Sequence, residues 1–185
     1  DGISGVEAIG IGGGVALIGF LAFNSQTDLP WHGLVIAAAA GGFLVWNWHP
    51  AKIFLGDIGS IPLGYLLGWL LLSLAASGYL PAAIILPLYY LVDATLTLLR
   101  RLQRGEKIWR AHREHYYQKA VQNGRSHAQV STAVALTNIG LVVLAVLTTM
   151  ANPGSLLPWI AVLGALFLVI LLLVWMKRTS LHANT

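Results

Sequence analysis

Leu157-Pro-Trp-Ile-Ala-Val-Leu-Gly-Ala-Leu-Phe-Leu-Val-Ile-Leu-Leu-Leu-Val-Trp-Met176 holds no charged residue in twenty positions. As a helix it runs about 30 Å, the thickness of a bilayer's hydrocarbon core. Leu166–Leu173 is apolar at every position, so neither face alternates as a barrel strand requires, and only a helix satisfies its backbone in lipid. Five further apolar stretches precede it, at Val6–Phe23, Trp31–Trp46, Ile61–Leu80, Ala82–Leu99 and Thr132–Met150. The first two are shorter and rich in glycine or alanine. The expectation is an all-α, polytopic membrane protein of about six transmembrane helices, forming one integral membrane domain over residues 1–185.

Composition agrees. Of 185 residues 57% are hydrophobic and 10% charged, with mean hydropathy +0.72, far outside the range of water-soluble domains. The absence of cysteine excludes disulfides, thiol nucleophiles and cysteine metal sites. The chain opens on Asp1 with no signal segment before its first span, and reads as the C-terminal part of a larger protein.

If the spans alternate in direction, all eleven lysines and arginines fall on one side. Lys52 lies in the loop around 47–60, Lys177 and Arg178 lie in the tail, and the rest lie in the loop around 100–131. The positive-inside rule places that side in the cytoplasm. The net charge of +4 is explained by juxtamembrane contact with phosphate head groups rather than by nucleic acid.

Chemistry concentrates in Asn47-Trp-His-Pro-Ala-Lys-Ile-Phe-Leu-Gly-Asp-Ile-Gly-Ser60. Asp57 sits between Gly56 and Gly59, where the backbone turns and lets a ligand approach the carboxylate. Magnesium suits such a site, because it keeps several waters and shares phosphate oxygens with a substrate. A solvated turn acid is the plainer alternative.

The pattern Asn-x-x-Pro-Ala-x-x-Phe-x-Gly-Asp-x-Gly-Ser, continued by Leu63-Gly64, closely resembles the polyprenyl-phosphate N-acetylhexosamine-1-phosphate transferases, the glycosyltransferase family 4 enzymes that begin lipid-linked peptidoglycan and O-antigen synthesis. The resemblance implies that Asp57 is catalytic and binds magnesium, or manganese in its place. It also implies that Phe54 stacks on the uracil of a nucleotide-sugar and that Asn47 belongs to the substrate site. Asp1-Gly-Ile-Ser-Gly-Val6 is similar to the family's Asp-Gly-x-Asp-Gly-Leu segment, which makes Asp1 a substrate contact. Ser4 stands where the family has a second aspartate.

The loop Arg100-Arg-Leu-Gln-Arg-Gly-Glu-Lys-Ile-Trp-Arg-Ala-His-Arg-Glu-His-Tyr-Tyr-Gln118 interleaves guanidinium and imidazole groups, which suits a diphosphate and a sugar. His112 and His115 share a helical face, but a zinc site lacks its remaining ligands. A basic helix lying on anionic lipid is the bland reading. By resemblance to the family's Arg-x-x-x-Gly and Asp-Arg-x-His-x-His-His elements, Arg101, Gly105, Arg113 and His115 match, His112 replaces the aspartate, and Tyr117 and Gln118 replace two histidines. Arg113 and His115 are thus expected to be catalytic, with Arg101 and His112 binding substrate.

Asp93, inside the fourth stretch, is expected to pair with Arg100 or Arg101. Pro87 is expected to kink its helix, and Gly10-x-x-x-Gly14 and Gly64-x-x-x-Gly68 to pack helices closely. Trp31, Trp46, Trp48, Trp159 and Trp175 read as interface anchors, and Trp69 as packing.

The resemblance implies transfer of a sugar 1-phosphate, N-acetylhexosamine 1-phosphate, from a UDP-sugar to polyprenyl (undecaprenyl) phosphate with release of UMP. The family's upstream aspartate-rich motif is absent, since the chain has no Asp-Asp pair, so this polypeptide alone is expected to be inactive. A homodimer stays open. The competing class is a membrane scaffold or small transporter subunit whose basic loop binds lipid.

Overall fold

The computed structural model describes residues 2–23, 27–107, 114–152 and 154–178, and its regular structure there is all helix, without a strand. Eight helices follow in order: α1 (Ile3–Ala22), α2 (Leu29–Asn47), α3 (Gly56–Ala76), α4 (Leu80–Ile85), α5 (Leu88–Gln103), α6 (Tyr116–Gln122), α7 (His127–Thr149) and α8 (Leu157–Lys177). Five of them, α1, α2, α3, α7 and α8, are long and apolar enough to cross a membrane. The all-α membrane architecture read from the sequence is the observed one.

The expected fourth span is the exception, because Ala82–Leu99 is divided between α4 and α5 at Leu86–Pro87. Proline has no N–H to donate, and its ring crowds the carbonyl four residues back. The last amide of α4 bonds Leu86 to Ala82 at 3.0 Å, and the next turn restarts from the Pro87 carbonyl. The expected kink is therefore a full break. Together the two short helices still return the chain to the end it left through α3.

α1 is the most buried membrane-length helix, packed against α2, α7 and α3. Its glycines explain how. A Cβ on Gly12 would sit 2.8 Å from the Gly33 carbonyl oxygen of α2, and one on Gly33 would sit 2.6 Å from the Gly12 oxygen, so the two backbones touch directly. Gly10 faces Asn138 of α7, and a Cβ on Gly14 would run into the Leu86 side chain at the helix break. Gly64 and Gly68 meet nothing within 4 Å, so the close packing expected there is not formed by these helices. Trp69 rests edge-on against His32, with ring centroids 5.2 Å apart.

Outer faces remain apolar and uncovered. Ile58 is 94% exposed, and Val45, Tyr65, Leu72 and Ile160 are exposed as well. Water would penalise such a surface, and acyl chains do not. One end of the bundle collects the start of α1, the 47–60 loop, the end of α5, all of α6, the start of α7 and the end of α8. Arg125 fastens that end, donating to the Trp175 carbonyl at 2.9 Å and lying 3.8 Å over the Trp175 ring.

Candidate functional site

The loop after α2 is built around Asn47, which is buried. Its Oδ1 accepts from the Gly2 N–H at 2.9 Å, and its Nδ2 donates to the Ile53 carbonyl at 2.8 Å. The Trp46 carbonyl accepts from the Lys52 N–H at 2.8 Å, so the chain folds back over the end of its own helix. Asn47 is one of the expected substrate-site residues. Its amide ties the first residues of the chain to the loop, placing Gly2 beside it; Asp1 lies outside the described residues.

Gly56 then turns the chain into α3 at φ 59, a left-handed conformation that glycine adopts without strain. Asp57 follows in the first turn of α3, exposed, where the helix dipole favours a carboxylate. No three His, Asp or Glu side chains converge among the described residues to hold a metal. The donor set at Asp57 is one open carboxylate, which fits a magnesium that keeps its waters and substrate oxygens and does not fit a closed protein cage.

Phe54 is 72% exposed and forms one wall of a cavity of about 480 Å³ with Ile3 of α1, Tyr117 and Gln118 of α6, and His127 and Ser131 of α7. The His49 and His127 rings stack at 5.2 Å and 11°, joining the loop to the start of α7. Burial pushes the Tyr117 phenol up to about 12, so it remains a neutral donor and acceptor at physiological pH. An aromatic face beside phenol, amide and hydroxyl groups suits a planar, hydrogen-bonding ring.

Tyr117 and Gln118 thus have positions of their own. Tyr117 also stacks on His115, with centroids 5.5 Å apart at 14°. Gln118 Oε1 accepts from the His115 N–H at 3.2 Å, capping α6.

His115 leads to Asp93, which is 4% exposed. Asp93 Oδ1 accepts from the Tyr116 N–H at 2.9 Å and from the Thr97 hydroxyl at 3.3 Å, while Oδ2 lies 3.4 Å from His115 Nδ1. This corrects the expected pairing with Arg100 or Arg101. Arg101 is itself buried, with Nε on Glu106 Oε2 at 3.0 Å and an Nη2 bond to the Lys107 carbonyl at 3.0 Å. Arg100 bonds the Tyr116 hydroxyl, its guanidinium 4.7 Å above that ring. The docking of α6 brings His115 to the carboxylate, and sequence spacing along α5 does not reveal it.

Arg101, one of the expected substrate-binding residues, also shapes the turn around Gly105, which sits at φ 70. Arg104 pairs with Glu106 at 2.9 Å and with Glu114, holding the Glu114 carboxyl below its usual range. Arg113 and His112 lie outside the described residues.

One acid was overlooked. Glu7, in the second turn of α1, is 3% exposed and accepts from Asn138 Nδ2 of α7 at 3.3 Å. The same signal that singled out Asp93, an acid within an apolar stretch, also marks Glu7.

Residues 1–75 match the family described as Glycosyl transferase family 4. A probable undecaprenyl-phosphate N-acetylglucosaminyl 1-phosphate transferase of Bacillus subtilis is 29% identical over 95% of this chain and 45% of its own length. A phospho-N-acetylmuramoyl-pentapeptide-transferase of Moorella thermoacetica is 41% identical over 44% of this chain and 26% of its own. One from Streptococcus pneumoniae is 31% identical over 63% and 36%. The chain thus spans less than half the length of each of these relatives. No solved structure matches it.

Proposed function

We infer from the match of residues 1–75 to glycosyl transferase family 4 that the whole protein transfers a sugar 1-phosphate from a UDP-N-acetylhexosamine to polyprenyl phosphate in cell-envelope synthesis. The observation that carries the reading furthest is the cavity that Phe54 shares with α6 and α7, at the end where Asp57 begins α3. A lipid phosphate oxygen attacks the sugar-bearing phosphorus, the bond to the nucleoside phosphate breaks, and UMP leaves. The basic end faces the cytoplasm of a bacterial inner membrane, consistent with the relatives' bacterial origin and the one-sided lysines and arginines.

Phe54 offers its face to uracil, with Tyr117, Gln118 and Ser131 lining the pocket around it. Asp57 would hold magnesium, which supplies positive charge to the diphosphate. His115 and Arg113 contact the phosphates, offsetting the approach of two anions. Asp1 and His112 remain proposed substrate contacts, and Asn47 and Arg101 serve by holding the loops that carry the others.

The test is UMP release by the whole protein in detergent, with polyprenyl phosphate and labelled UDP-N-acetylhexosamines. Release should require magnesium and fall by about 100-fold or more in Asp57→Asn. Phe54→Ala should raise KM for the nucleotide-sugar by about 5- to 100-fold, the scale of base–aromatic stacking, with a smaller change in kcat. Folded protein that releases no UMP from any of these sugars would favour the scaffold or transporter.

A further inference from the structure

Asp93 has no task in the transfer just described, yet both of its oxygens are engaged in a buried position. Oδ1 holds the Tyr116 amide at 2.9 Å and the Thr97 hydroxyl at 3.3 Å, which pins the start of α6. Oδ2 stands 3.4 Å from His115 Nδ1. Contacts of this kind are often long without substrate and tighten when it binds. A carboxylate oxygen can only accept, so the ring nitrogen facing it is the one that carries hydrogen. A neutral imidazole has a single N–H, and holding it at Nδ1 leaves Nε2 as the acceptor. Tyr117, nearly parallel to the ring at 14°, restrains its plane. His115, Asp93 and Tyr117 line a small cavity of about 60 Å³, and Tyr117 walls the large cavity as well.

We propose that Asp93 is a positioning residue that fixes the tautomer and plane of His115, so that Nε2 is presented to a phosphate oxygen of the substrates. The inference rests on the reading of His115 as a phosphate contact. The neutral ring takes a proton from a phosphate hydroxyl onto Nε2, and the imidazolium so formed lies between the Asp93 carboxylate and the oxygen to which it now donates. The proton stays between ring and phosphate, and no other reactant is needed.

Asp93→Asn separates this role from folding. Its carbonyl oxygen still accepts from Tyr116 and Thr97, while its NH2 group replaces Oδ2, donates to His115 Nδ1 and drives the ring proton to Nε2. Nitrogen NMR of the whole protein with 15N-histidine, assigned with His115→Gln, should find neutral His115 protonated at Nδ1 in the native protein and at Nε2 in Asp93→Asn. Native His115 protonated at Nε2 overturns the proposal even if the variant cannot be purified, and so does the same tautomer in both proteins. In kinetics, Asp93→Asn should lower kcat by about 10- to 100-fold, with KM for the nucleotide-sugar within about threefold of native. Placed on His115→Gln it should cost nothing further; losses that multiply overturn the proposal. A His115→Gln enzyme with native kcat sinks the reading of His115 as a phosphate contact, whereas an unchanged tautomer sinks the Asp93 role alone, so the two failures are distinguishable.

Discussion

Asn47 shows what a single buried amide does for a site it need not touch. It joins three pieces of chain, Gly2, the end of α2 and Ile53, by two hydrogen bonds. Asn47→Ala leaves the Gly2 N–H and the Ile53 carbonyl without it, which costs about 1–3 kcal/mol for a buried group left unsatisfied. The expected outcome is a lower Tm in detergent and, in the whole enzyme, a fall in activity through misplacement of both the chain start and Phe54. At this scale the sequence revealed residue types and not their partners. Asp93 stood out as an acid in an apolar run, but apart from Thr97 its partners are His115 and Tyr116 at the start of α6, more than twenty residues further along the chain. Arg101 was marked as a substrate contact by its Arg-x-x-x-Gly spacing, which does not reveal its pairing with Glu106. Its burial behind Glu106 comes from the tight turn at Gly105.

Among the helices, what was legible is what lipid dictates. Runs such as Leu166–Leu173 can only be helices in hydrocarbon, so α3, α7 and α8 emerge within a few residues of their expected limits, apart from the early starts of α7 at His127 and of α3 at Gly56. The early start of α3 draws Asp57 from loop into helix, because Gly56 provides the turn and the following residues continue without interruption. The pairing of α1 with α2 was less visible, since Gly33 belongs to no spaced glycine pair that stood out. Gly12→Ala should force the backbones of α1 and α2 apart, because the obstructing atom is the Gly33 carbonyl rather than a movable side chain. A loss of about 1–3 kcal/mol is expected for such overpacking. Gly64→Ala, with nothing within 4 Å, should be neutral or stabilising by up to about 1 kcal/mol. Thermal unfolding of the two variants side by side checks the contrast.

Across the whole molecule the chemistry is confined to one end. Lys52, Arg100, Arg101, Arg104, Lys119, Arg125 and Lys177 gather there with Phe54, Asp57 and His115. Residues 1–185 hold no cysteine, so a thiol introduced among them, compared with the unsubstituted protein, reports the orientation. Lys52→Cys should resist an impermeant maleimide on intact cells and react once the membrane is opened, whereas Asn152→Cys, between α7 and α8, should react on intact cells. The reverse pattern would place the site outside the cytoplasm.

The division between α4 and α5 also bears on how the bundle meets its solvent. An interrupted helix presents carbonyls that lipid cannot satisfy. Here the whole of Ile85–Tyr89 is buried, with Leu86 seated against the bare backbone of Gly14. The bend is therefore solvated by protein and owes nothing to acyl chains. Replacing lipid by detergent changes the medium around α3 and α8 but leaves the surroundings of this bend as they were, so the path that carries Asp93 back to the site is set by the polypeptide rather than by the membrane that holds it.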